Sequence, residues 1–129
     1  MIVKEKLINA YPLTEKIEID YECYKIKSRK YVVFIDEIIS NSDTEKLLDK
    51  LLTSIKTKSS IVSTLIVVAN TNEEFKKEDL VFFNGVDTFV IYYLLNKTDG
   101  SIYFNDQGTY WFGGNWKKII KRFNEILKS

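Results

Sequence analysis

Tyr31-Val32-Val33-Phe34-Ile35 is an unbroken apolar run that stops at Asp36-Glu37. A run rich in β-branched side chains, with no polar residue on either alternating side, suits a strand covered on both faces. Downstream, Leu47, Leu48, Leu51, Leu52 and Ile55 recur at helical spacing behind Ser42 and Glu45, which stand three apart as in a capping box. Ser63 to Ala69 is a second apolar, β-branched run. Strand, helix and strand in that order predict one right-handed parallel crossover over 31–35, 43–56 and 63–69.

Working outward, residues 2–11 fit a short helix or an arm. From Lys16 the chain alternates, with Ile17, Ile19, Tyr21 and Cys23 facing one way and Glu18, Asp20 and Glu22 the other. That is the period of a half-buried strand, and a phase shift at Tyr24 and Ile26 predicts a bulge or a strand end near Cys23. The polar Lys27-Ser28-Arg29-Lys30 then joins this strand to the next as a hairpin. Beyond Ala69, residues 70–79 are polar and read as a surface loop with room for one helical turn. Leu80–Phe83 and Val86–Leu95 flank Asn84-Gly85, a dipeptide that tolerates the positive φ of a two-residue hairpin. Turn signals at Thr98-Asp99-Gly100 and Asp106-Gln107-Gly108 extend the meander through 101–105 and 109–112. Asn115 caps a last helix whose stripe is Trp116, Ile119, Ile120, Phe123, Ile126 and Leu127. The expected fold is α+β or α/β: a mixed, largely antiparallel sheet with two main helices packed on it, in a single compact domain spanning 1–129.

Composition closes several functional classes. The chain has 129 residues, 45% hydrophobic and 14% aromatic, with no histidine, one cysteine, one proline and five glycines. Histidine triads and histidine-metal sites are therefore beyond this chain alone, and a single cysteine forms neither an internal disulfide nor a thiolate zinc cluster. An unpaired Cys23 fits a reducing compartment, so a cytoplasmic location is expected. The N-terminus carries charge where a signal peptide is apolar, and no apolar run reaches the roughly 18 residues of a membrane span. The richness in Lys, Ile, Asn and Tyr suggests an AT-rich bacterial or mobile-element genome.

Two motifs invite a chemical reading. The strand ending in Asp36-Glu37, the helix after it and Leu65-Ile66-Val67-Val68-Ala69-Asn70-Thr71-Asn72 together resemble the Walker B, helix and sensor-strand stretch of AAA+ ATPases. The resemblance implies one acid on Mg²⁺ and the next orienting water. It covers about 40 residues, and no Gly-x-x-x-x-Gly-Lys-Ser/Thr phosphate cradle stands anywhere in the sequence. A carboxylate Mg²⁺ nuclease needs only Asp, Glu and Lys. Here the acid-x-Lys is Glu74-Phe75-Lys76, which falls in a polar loop and not on a strand. No catalytic set, metal site or cofactor is assigned.

Charge by segment says more than its sum. Residues 1–69 carry 11 bases and 10 acids, residues 70–112 carry 3 and 7, and residues 113–129 carry 5 and 1. An acidic stretch thus precedes a basic helix bearing Lys117, Lys118, Lys121, Arg122 and Lys128. Between them lies Tyr110-Trp111-Phe112-Gly113-Gly114-Asn115-Trp116. Aromatic anchors beside opposed charges are the ingredients of a protein interface, in which a few aromatics dominate affinity and charges set encounter. The sequence therefore leads to a non-catalytic module that docks a partner protein, as a complex subunit, cognate inhibitor or immunity-type factor. Its anchors are Tyr103, Tyr110 and Trp111, and its orienting charges are Lys117, Lys121 and Arg122 or the acidic loop. Nucleic-acid binding by the basic helix and its aromatics is the alternative, and the Mg²⁺ nuclease the third. No membrane partner is expected; a homodimer is compatible with the pattern.

Overall fold

A computed structural model describes residues 2–10, 15–27, 29–58, 61–84, 88–104 and 121–126. The elements are α1 (Ile2–Ala10), β1 (Glu15–Glu18), β2 (Glu22–Lys27), β3 (Lys30–Ile39), α2 (Thr44–Lys56), β4 (Thr64–Thr71), a 3-10 turn (Lys77–Leu80), β5 (Val81–Asn84), β6 (Thr88–Asn96) and β7 (Ile102–Tyr103). Residues 121–126 are also helical. One mixed sheet runs β1-β2-β3-β4-β6-β5, and β7 pairs with β6. The β3–β4 and β4–β6 pairs are parallel, and the other four are antiparallel. The fold is α+β, as the sequence predicts.

Burial explains the strand order. Every side chain of β4 is buried, and β6 is buried along its length except for a half-buried Leu95. Strands apolar on both sides belong in the interior of a sheet that is covered on both faces. The covers differ. On one face Leu48, Leu51, Leu52 and Ile55 of α2 pack over Cys23, Val33, Ile35, Leu65, Val67 and Tyr92. On the other, Leu7 of α1 with Phe123 and Ile126 covers Val32, Phe34, Ile66, Val68, Ile91 and Tyr93. At about 1.5–3 kcal/mol for each large apolar side chain fully buried, these two clusters supply the main drive for folding.

The β3-α2-β4 crossover forms as the sequence predicts, with two adjustments. β3 runs on past the acids to Ile39, and a register shift between Phe34 and Ile38 against β4 places Asp36 and Glu37 in a bulge. The helix begins at Thr44 with Asp43 at its N-cap and no side-chain cap hydrogen bond, so Ser42 does not act as a capping-box residue. Ser42 Oγ lies 2.9 Å from Ser40 Oγ instead.

Two expectations change. The single strand through Cys23 is a hairpin: β1 and β2 pair antiparallel, Ile17 opposite Cys23, around a bend at residues 19–21. The hairpin at Asn84-Gly85 exists, but Asn84 pairs with Thr88, so the connection is three residues, 85–87. Of this hairpin it is β6, the longer and more apolar strand, that takes the interior place, parallel to β4. The strand expected at 109–112 and the start of the last helix at 115–120 lie outside the described residues; Phe123 and Ile126 are buried as the stripe requires.

One turn carries strain. Residues 28–29 connect the paired Lys27 and Lys30, and Arg29 has φ +64°. A left-handed conformation costs a non-glycine residue roughly 1 kcal/mol. Arg29 is held there through its carbonyl, which accepts hydrogen bonds from Ser63 N at 2.8 Å, Thr64 N at 3.3 Å and Ser63 Oγ at 3.1 Å.

Candidate functional site

The three parallel strands end on one rim of the sheet, where ligands of open α/β sheets commonly bind because loops from adjacent strands converge there. Here β3 leads into the Ser40–Asp43 turn, β4 into residues 72–76, and β6 into the turn at 97–100. Two buried polar residues, Thr71 and Asn96, and the exposed Asn41 organise these loops. Thr71 Oγ1 donates to Ile39 O at 2.8 Å and accepts from Glu73 N at 3.1 Å. Lys97 N donates to Thr71 O at 2.8 Å, which joins the third loop to the second. Asn41 clamps the first loop to the second, its backbone N and Nδ2 donating to Glu73 Oε2 at 2.8 and 3.2 Å and Nδ2 also to Glu74 O at 3.3 Å. Asn96 fixes the third loop, with Oδ1 accepting from Thr98 N and Nδ2 donating to Tyr103 Oη, both at 2.8 Å.

The rim so built is acidic. Asp36, Glu37, Asp43, Glu73, Glu74 and Asp99 are all exposed on it. Glu73 is oriented by Asn41. Asp99 Oδ1 accepts from Ser101 Oγ at 2.6 Å and Ser101 N at 2.9 Å, and these bonds hold its carboxyl below the ordinary value. Half-buried Phe75 and Tyr103 sit among these loops, both packed against the α2-side core. Ile38, in the β3 bulge, is an exposed large apolar residue.

Within the bulge, Asn70 Nδ2 donates to Asp36 O at 2.7 Å, while its buried Oδ1 has no hydrogen-bond partner among the described residues. The position is that of the Asn which ended the sensor-like strand in the sequence, and the structure gives it a role in holding the bulge. Among the described residues no group of three Cys, Asp or Glu is placed to hold a metal ion. Glu74-Phe75-Lys76 of the nuclease reading lies in the loop after β4, whereas Asp36 and Glu37 lie within β3.

Of the residues singled out by sequence, Tyr110, Trp111 and Lys117 lie outside the described residues. Tyr103 sits at the rim. Lys121 and Arg122 are exposed on the helical turn at 121–126, and Arg122 reaches Glu125 at 3.8 Å. Phe123 and Ile126 of that turn pack on the face opposite α2, so the sheet lies between Lys121 and Arg122 on one side and the packing side of Tyr103 on the other. Sequence missed the contribution of Asp36, Glu37 and Asp43 to the acidic surface, because only the parallel pairing of β3 with β4 brings the ends of these two strands to the same rim.

Cys23 is fully buried, and burial pushes its thiol up to about 12, which leaves it an unreactive core residue. No helix among the described residues is long and apolar enough to cross a membrane. No protein-family model, curated protein or solved structure matches this chain.

Proposed function

We propose that this chain is a non-catalytic docking module that binds a partner protein through the acidic rim. The observation that supports this most directly is the tying of the second loop to the other two, to the first through Asn41 and the Thr71 side chain and to the third through the Lys97 N–Thr71 O bond, which holds acids from separate segments on one surface. Rigid loops lose little conformational freedom on binding, so a larger share of the contact energy survives as affinity. Tyr103 and Phe75 supply partly buried aromatic anchors, and the carboxylates steer a partner whose contacting surface is basic. A cytoplasmic setting, consistent with the unpaired Cys23, belongs to the same proposal.

Capture from cells of the native source tests it. The wild-type chain is expected to retain a specific partner in low salt, and the double variant Glu37→Lys/Glu74→Lys to lose it while keeping its fold by circular dichroism. Equal capture of the same partner by both proteins would place the interface elsewhere.

A further inference from the structure

The opposite end of the sheet has the opposite character. The crossover that carries β3 away from Lys30 brings α2 back to the same end, so Lys56 and Lys58 stand at the end of the sheet that holds the β2–β3 hairpin tip with Arg29 and Lys30. Arg29, Lys56 and Lys58 are exposed and Lys30 is half-buried. None of the four makes an ion pair with a described residue. Lys56 also meets the negative end of α2, which accounts for one cation. Lys58 lies beyond the helix, and Arg29 and Lys30 are on a different element. β3 has ten residues, which sets this basic end roughly 30 Å from the acidic rim.

Arg29 is the informative member. Its left-handed φ suits glycine, and its position is fixed by the three bonds from Ser63 and Thr64 to its backbone carbonyl, none of which uses the side chain. The exposed guanidinium is therefore carried on a backbone that the fold fixes in place. Among residues whose side chains are described, the aromatics nearest this end, Tyr31 and Phe89, are buried. Protein hot spots and single-stranded nucleic acids both draw on exposed aromatics. Cations on a hairpin and a helix end match the phosphates of a duplex.

We propose that this basic end is a second surface, separate from the acidic rim, that binds the phosphate backbone of double-stranded nucleic acid. The chain is then a two-ended adaptor.

Fluorescence anisotropy with a labelled 20-base-pair DNA duplex, titrated with the full chain over a salt series, tests this. Three or four phosphate contacts predict a slope of about −3 in log K against log salt. Arg29→Gly should flatten the slope by about one and weaken binding about eightfold at 0.1 M salt, while its melting temperature stays level or rises. Lys56→Gln/Lys58→Gln should flatten the slope by about two. Lys121→Gln/Arg122→Gln should leave binding unchanged. The proposal is overturned if the wild type shows no salt-sensitive duplex binding, or if the Arg29 and Lys56/Lys58 variants bind as well as wild type. It is also overturned if loss of binding follows Lys121 and Arg122, or if polyglutamate competes as well as unlabelled duplex. A lower melting temperature in Arg29→Gly would make Arg29 structural and remove it from the surface.

Discussion

The two faces of the sheet are covered by different means. On one, a single 13-residue helix inserts Leu48, Leu51, Leu52 and Ile55 as one apolar stripe. On the other, α1 contributes Leu7 and the 121–126 turn contributes Phe123 and Ile126, and polar contacts supplement the cover. Lys4 of α1 pairs with Glu22 of β2, which also accepts from Tyr24 Oη at 2.8 Å. Tyr93 Oη donates to Asn124 Oδ1 at 2.7 Å, and the Tyr93 ring lies 5.9 Å from Phe123. A continuous stripe couples its residues through shared packing, so losing one disturbs all. A cover assembled from separate pieces allows one piece to leave alone. The α2 face should therefore open only with the whole molecule, and the other face in parts.

The largest test of that contrast is Leu51→Ala. Leu51 is fully buried at the centre of the stripe, and the substitution is expected to cost about 4 kcal/mol in denaturant unfolding. Cys23, beneath α2, gives an independent reading: its labelling by a thiol reagent should speed up in step with global instability. Leu7→Ala should cost about 2–3 kcal/mol, with amide exchange rising in α1 while Cys23 labelling rises far less. If Leu7→Ala accelerates both equally, the faces are one cooperative unit and the contrast fails. Tyr93→Phe removes a single partly buried hydrogen bond and should cost about 1 kcal/mol, seen as faster exchange at 121–126.

Smallest is Glu22→Gln, about 0.5 kcal/mol for a partly exposed pair, but with a pH signature. Burial raises the Glu22 carboxyl, yet the hydrogen bonds from Lys4 and Tyr24 outweigh it and leave the pKa below its ordinary 4.5. Its contribution is present above that value and fades as pH falls through the lower folded value. The hydrogen bond to Glu22 raises Lys4 above 10.5, so its contribution holds below 10.5 and fades as pH rises through the folded value. The difference between wild type and variant should form a plateau between these limits and vanish outside them. A flat difference at all pH values would mean that Glu22 acts through packing.

Legibility in the sequence followed the same physics. The α2 stripe and the apolar runs of β3 and β4 were readable because burial on one helical face or on both strand faces leaves a periodic or continuous record. The β1–β2 turn left none. Ile17 pairs with Cys23, so odd-numbered residues point to the same face before and after the bend, and Ile19-Asp20-Tyr21 holds no Gly, Pro or Asn to mark it. The parallel β4–β6 pairing was also hidden, since a hairpin can dock by either strand and only burial decides which. The acidic rim was half legible: Glu73 and Glu74 stand in an evidently polar loop, whereas Asp36, Glu37 and Asp43 join them through tertiary pairing alone. The basic end was not legible, because Arg29-Lys30 and Lys56-Lys58 are separated by a whole crossover and the strain at Arg29 is a property of φ.

The outer side of β6 has a further consequence. β5 pairs with its first half and β7 with its second, so two short strands cover what one long strand would otherwise expose. At the far edge β1 is four residues long and shows Glu15, Lys16 and Glu18 to solvent. Cross-β growth needs flat, uncharged templates of six or seven residues. Neither β1 nor β5, at four residues each, offers one, so copies of the chain crowded together are poorly equipped to seed fibres from these edges.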